Sequence, residues 1–393
     1  MSKETTIKTM LGASINQPSY RAIAFYLPQF HPTPENNTWW GPGFTEWTNV
    51  VKARSLFAGH HQPNLPADLG FYDLRVPETR EAQAELARQA GIEGFCYWHY
   101  WFAGRRILER PFAEVLASGK PDFPFCLAWA NESWQGHWYG SERRLLIEQT
   151  YPGDEDIDAH FHSVLPAFRD PRYIRVEGRP LFLIYQPSFL PDARRFIARW
   201  QELARASGLD GIHFVAHTIF NKMEFDWQAA GFSAAVAVHA LKVMRMRAWD
   251  VVREYYARQG AGPATRAALR LMYFRTIQRI LGWPGSVFRY EDACLFMNPR
   301  TLREDGWYPS AVPNWDNSPR AGRKGVILQD STPESYRKHL RDVLTGLTAR
   351  PREQRIVFIK SWNEWAEGNY LEPDKRFGHQ FLDVTREEMF RQP

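Results

Sequence analysis

A closed (β/α)8 barrel with a basic helical insertion after its sixth strand is the fold class this sequence predicts, and two patterns predict it. Short, nearly continuous apolar runs recur along the chain, as in strands buried on both faces of a parallel sheet. Segments with helical patterning separate them, and alternating strand and helix signals favour a barrel. The 393 residues suit one barrel of roughly 250 residues enlarged by insertions. No Gly-, Ser- or Pro-rich linker divides the chain and no internal repeat is visible. Residues 20–393 therefore read as one domain behind a polar tail of residues 1–19.

In order, the apolar runs cover residues 22–27, 94–98, 123–129, 180–185, 212–216 and 233–238, a weaker run at 307–312, and 355–360. Residues 77–90 begin with Pro and acidic residues and stop at Gly91, the expected start and stop of a helix. Residues 332–344 repeat that arrangement before the last strand. The stretch from about 241 to 290 breaks the rhythm. Its helical pattern carries Arg245, Arg247, Arg253, Arg266, Arg270, Arg275 and Arg279. A solvated basic face explains it best, with an anionic glycan or lipid carrier as the alternative.

Composition narrows the function classes. With 49 Lys plus Arg against 44 Asp plus Glu, the formal charge of +5 gives little ground for a nucleic-acid partner. Three cysteines, two of them in apolar strand runs (Cys96 and Cys126), do not make a disulfide framework. The first residues lack a signal peptide's apolar stretch, and no apolar run reaches the ~18 residues of a membrane span. A soluble cytoplasmic protein is the expectation. The 16 Trp, 16 Tyr and 26 Phe are 15% of the chain, and many stand beside His, Asn or Glu. Core packing accounts for some; the flat C–H faces and hydroxyl edges of sugar rings suit the same mixture.

A barrel's active site lies at the C-terminal ends of its strands. Here those ends supply Tyr26, Gln29 and His31 after the first strand, with Trp40, Glu46 and Trp47 beyond. The second gives Tyr97, His99 and Trp101, and the third Trp129, Asn131, Glu132 and Trp134. Tyr185, His217 and His239 end the fourth, fifth and sixth, and Trp315 and Asp316 follow the seventh. Trp362, Asn363, Glu364 and Glu367 follow the eighth. Almost every end offers an aromatic residue with a hydrogen-bonding one, so an oligosaccharide or polysaccharide is the expected partner.

Glu364 and Glu367 are the candidate catalytic pair. Glycoside cleavage needs one carboxyl group to protonate the leaving oxygen and a second group to assist attack at the anomeric carbon. Three residues apart, one helical turn places both on one face, and proximity drives their pKa values apart. A plainer alternative is a capping box, Ser361-x-x-Glu364, with Glu367 in the first turn. Glu132 and Glu46 have plainer alternatives too, a loop salt bridge and a helix cap. The twelve His residues show no metal-ligand spacing, so neither a catalytic metal nor a cofactor is expected. No dinucleotide or Walker motif is present. Asp154-Glu-Asp156 resembles the acidic triplet of some glycosyltransferases, but acidic residues opening a helix explain it better.

Several motifs together resemble the WbsX-type, glycoside hydrolase family 99-like proteins. These are Tyr26-Leu-Pro-Gln-Phe-His31, Trp39-Trp-Gly-Pro-Gly-Phe-Thr-Glu-Trp-Thr48, Pro66-Ala-Asp-Leu-Gly-Phe-Tyr-Asp73 and Gly94-Phe-Cys-Tyr-Trp-His-Tyr-Trp101. Trp129-Ala-Asn-Glu132, Asn314-Trp-Asp-Asn-Ser-Pro-Arg320 and Trp362-Asn-Glu-Trp-Ala-Glu-Gly368 complete the set, over about residues 21–372. That group is often found with bacterial lipopolysaccharide and O-antigen biosynthesis. The resemblance implies a (β/α)8 barrel and an endo-acting glycosidase that retains configuration. It implies Glu367 as general acid and then base, and Glu364 as the group that deprotonates the sugar's own 2-hydroxyl. A glycosyltransferase or transglycosylase of O-antigen assembly is the rival expectation, and a non-catalytic glycan-binding barrel a third. The helical stretch after strand six departs from the pattern and leaves the sugar open.

Overall fold

The structure is a computed structural model describing residues 17–136, 144–219, 225–239, 280, 282–284, 286–297 and 305–392. Eight parallel strands close into a ring: β1 (Arg21–Tyr26), β2 (Ile92–His99), β3 (Phe125–Trp129), β4 (Arg179–Ile184), β5 (His213–Ile219), β6 (Ala234–His239), β7 and β8 (Ile356–Ile359). Each pairs with its sequence neighbour, and β8 returns to β1 with Ala22 opposite Val357. The weak seventh run is real but broken. Trp307–Tyr308 pairs with β6 and Ser310–Ala311 with β8. Pro309 stands at the break, where a residue without an N–H cannot donate to a ladder. The Pro309 carbonyl still accepts from the Phe358 N–H at 3.0 Å, so β7 closes the ring in two pieces.

The flanking helices form where the sequence signals them. Helix Pro77–Gln89 has Pro at its start, and Pro333–Thr345 is capped by Thr332, whose hydroxyl accepts from the Ser335 N–H. Asp154, Glu155 and Asp156 open helix Asp154–Arg169 as its acidic first turn. Asp154 pairs with Arg195, and Asp156 accepts from the Trp101 indole at 3.0 Å. The insertion expected at 241–290 lies mainly outside the described residues. Its described end is a short strand, Val287–Arg289, which runs into helix Tyr290–Met297. With strand Ile327–Gln329 these build a small second core of Phe288, Tyr290, Val312, Val326 and Leu328. That core packs against Trp315 and so supports the loop after β7.

Side chains alternate along a strand, and this decides what faces the barrel axis. Phe25 points inward, its ring centroid 5.0 Å from Trp98, 5.7 Å from His217 and 5.5 Å from Phe358. Tyr26, Tyr97 and Trp129 have the opposite parity and face the helices. Tyr26 donates to Gln83 at 2.7 Å, Tyr97 packs on Phe112, and Trp129 stacks on Phe196.

Candidate active site

The site grows from the end of β8. After Lys360 the chain makes a two-residue strand, Asn363–Glu364, that pairs antiparallel with Asn369–Tyr370. One 3-10 turn, Trp365–Glu367, joins them. With three residues per turn, side chains at i and i+3 eclipse, which puts Glu364 and Glu367 on one side. The capping alternative fails: this turn has no side-chain cap, and the Ser361 hydroxyl donates instead to the Glu364 carboxylate at 2.9 Å. Gly368 ends the turn at φ +54°, where a Cβ would come within 2.7 Å of the Asp316 carbonyl oxygen. The Asp316 N–H donates to the Glu367 carbonyl at 2.8 Å, so the β7 loop lies directly on this turn.

Two cations and a third carboxylate complete the cluster. Lys360 donates to Glu364 Oε2 at 2.6 Å, and its ammonium is framed by the rings of Phe25, Trp98 and Trp315 at 5.5–6.0 Å. Arg320 donates to Glu367 Oε1 at 2.7 Å, and the same nitrogen lies 3.7 Å from Glu364 Oε1. Its other two nitrogens hold Glu46 Oε2 at 2.9 and 3.1 Å. Burial alone would raise the Glu364 carboxyl, but the charges of Lys360 and Arg320 and the bonds from Lys360 and Ser361 outweigh it and hold it below its ordinary value. Glu367 goes the other way. Burial, then the negative charge of Glu364, pushes it up to about 7 against the pull of Arg320 and Lys360.

These groups line a cavity of about 880 Å³ at the C-terminal mouth of the barrel. Of the residues expected from sequence, Gln29, Trp40, Asn131, Glu132, Trp134, Tyr185, Trp315, Glu364 and Glu367 are in its wall. The others are placed elsewhere. Tyr26, Tyr97 and Trp129 face the helices, as does His99, which bonds His160 at 2.9 Å. Trp101 stacks on His160, and Trp47 donates to the Tyr72 carbonyl. His31 and Trp362 are buried, His217 sits in the barrel core, and Asn363 clips the Leu27 backbone at both polar ends. Glu46 is fully buried behind Arg320. Asp316 faces a separate hollow, held by His60 at 2.8 Å and Gln62 at 2.6 Å. It accepts from the Ser318 N–H at 2.9 Å and so fixes the short helix Ser318–Ala321 that carries Arg320. For His239, only the backbone of β6 is described.

Sequence reasoning missed Arg320, Lys360, Trp98 and Tyr100 in the cavity wall. Arg320 closes the motif Asn314-Trp-Asp-Asn-Ser-Pro-Arg320, and Lys360 is a charge ending an apolar strand, so both had a signal. Trp98 and Tyr100 needed only the two-residue period, which separates them from Tyr97, His99 and Trp101.

Fold and site together define a (β/α)8 barrel with a buried carboxylate pair at its C-terminal mouth. The chain belongs to the family described as Glycosyltransferase WbsX, whose model matches residues 22–385. It is 41% identical over 372 residues to the uncharacterized protein WxcX of two Xanthomonas campestris pv. campestris strains, B100 and ATCC 33913. That alignment takes in 94% of this chain and 50% of WxcX, so the chain spans about half the length of the curated relatives it matches. Among solved structures it is similar to a glycoside hydrolase-like protein, with TM-score 0.57 and 14% identity over 98% of both chains. It is similar also to the glycoside hydrolase family 99 endo-α-mannosidase of Bacteroides thetaiotaomicron, with TM-score 0.50 and 15% identity over 95% of this chain and 97% of that one. At these identities the likeness is one of fold. No helix among the described residues is long and apolar enough to cross a membrane.

Proposed function

We propose that this chain is a retaining, endo-acting glycoside hydrolase-like enzyme that cuts a bacterial surface polysaccharide or its precursor. The observation that carries the reading is the unequal environment of two carboxyl groups sharing one guanidinium. Glu364 is held ionised and suits a base; Glu367, near 7, suits an acid that donates and recovers a proton at neutral pH. In the first step Glu364 takes the proton of the sugar's 2-hydroxyl and that oxygen attacks the anomeric carbon. The glycosidic bond breaks as Glu367 protonates the leaving oxygen, giving a 1,2-anhydro sugar. In the second, Glu367 takes a proton from water, whose oxygen opens the ring at the anomeric carbon, and Glu364 returns its proton to the 2-oxygen. Two displacements at one carbon retain configuration.

The cavity's size supports a substrate longer than one sugar ring. Turnover of a panel of bacterial surface polysaccharides tests the reading. Glu364→Gln and Glu367→Gln should each lower the rate by roughly 10²–10⁴-fold with the fold intact. Near-normal turnover by either variant contradicts it.

A second reading follows from the family's description as a glycosyltransferase. The same pair would pass the sugar to an acceptor hydroxyl instead of water. Thermal stabilisation by a nucleotide sugar, with no hydrolysis of any glycan, would favour it.

A further inference from the structure

The cluster at the mouth of the barrel holds three carboxyl groups, Glu46, Glu364 and Glu367, against two cations, Arg320 and Lys360. All five are strongly buried, with Glu46 wholly enclosed and the Glu367 side chain 19% exposed. Fully ionised, the cluster carries one uncompensated negative charge, and an isolated charge in such a site is relieved by binding a proton. Contacts decide which carboxyl group takes it. Glu364 is held by Lys360 at 2.6 Å and Ser361 at 2.9 Å, with Arg320 at 3.7 Å. Glu46 is held through Oε2 by two nitrogens of Arg320, whose charge and hydrogen bonds oppose the burial that raises its carboxyl. Glu367 has a single partner nitrogen, at 2.7 Å, and faces the cavity. The other titratable groups nearby are Tyr100 and Tyr185, both raised by burial and therefore neutral, and Glu132 across the cavity.

We propose that Glu46 is a positioning residue that loads the acid: its buried charge occupies Arg320 and makes the cluster one cation short, so that Glu367 holds a proton at neutral pH. Glu46 touches no substrate. It acts through Arg320. This rests on the acid–base reading above but reaches beyond it, because it assigns the acid's protonation to a third, enclosed carboxylate.

Carboxyl NMR titration of the full chain carrying isotope-labelled glutamate tests the proposal without any substrate. The Glu367 signal is identified by its loss in Glu367→Gln. In the unsubstituted protein it should titrate at about 7. In Glu46→Gln the cluster is balanced without a proton, and the Glu367 titration should fall toward the ordinary carboxylate value of about 4.3. Glu46→Asp, which keeps the charge, should restore it. Lys360→Gln shifts the balance the opposite way and guards against a Glu46 variant that does not fold. It should bring a further carboxyl group into titration near neutrality, beyond Glu367 and Glu372, whose own raised titration lies outside this cluster. An unmoved Glu367 signal in folded Glu46→Gln, or no carboxyl group added near neutrality to Glu367 and Glu372 in Lys360→Gln, overturns the proposal. Because no turnover is measured, loss of the hydrolase reading would leave these results unchanged. Conversely, an inactive Glu367→Gln with a Glu46-independent titration would sink this proposal alone.

Discussion

Arg320 illustrates how much of the site depends on one planar group. Its guanidinium spans three carboxylates in a fixed fork, a geometry that a lysine ammonium cannot reproduce. Arg320→Lys should therefore keep the charge yet lower kcat/KM about 10²-fold through misplacement of the acid. Unchanged kcat/KM on a cleaved glycan would show that Arg320 supplies charge alone. At this scale the sequence was legible for Glu364 and Glu367, since spacing and the strand-end rule both marked them. It was less legible for the aromatics. Tyr97 and Trp98 are neighbours of similar type, and only burial parity tells which faces the axis.

The turn after β8 is the element on which the pair depends, and its strength comes from beneath. Glu372 is buried there and accepts from Tyr72 at 2.8 Å, Gln83 at 2.6 Å and the Trp365 indole at 2.6 Å. Burial raises its carboxyl to about 7, with those donors pulling the other way. Glu372→Ala would leave three buried donors unpaired, at about 1–3 kcal/mol for each group. Denaturant melts should show a loss of that order, and a loss below 1 kcal/mol would mean water replaces the carboxylate. Gly368→Ala should cost about 1–3 kcal/mol, because the residue is left-handed and its new methyl group meets the Asp316 backbone. A neutral result in the same melts would mean the β7 loop yields. The strand ladder was readable because apolar runs are periodic. The capping alternative at Ser361 fails because a hydroxyl bonds a carboxylate as readily as a backbone N–H, and local sequence does not show which is closer.

Across the whole molecule, buried histidines set the acid side of the stability curve. Burial lowers His99 to about 3 and His31, His213 and His339 to about 4, and carries His160 well below its ordinary value. The unfolded chain binds those protons near 6.5 and the folded chain does not, so stability is lost as pH falls from about 6.5 toward 4. Glu367 and Glu372 act oppositely, their stabilisation fading as pH rises from about 4.3 through 7. The histidines are more numerous, so Tm should fall from pH 6.5 to pH 5 and change little above 7. A Tm that holds or rises at pH 5 would contradict this. Barrel closure was legible from eight runs and the missing linker. The second core around Trp315 was not, because strands Val287–Arg289 and Ile327–Gln329 are short and distant in sequence.

We propose Glu367 as the acid and Glu364 as the base of a glycan-cleaving pair. The pH dependence of kcat/KM on a cleaved polysaccharide tests it most directly. It should be level from about 5 to 6.5, fall above about 7 as Glu367 loses its proton, and fall below the ordinary carboxylate range of about 4.3 as Glu364 gains one. Activity that stays level or keeps rising from pH 7 to 9 would contradict it.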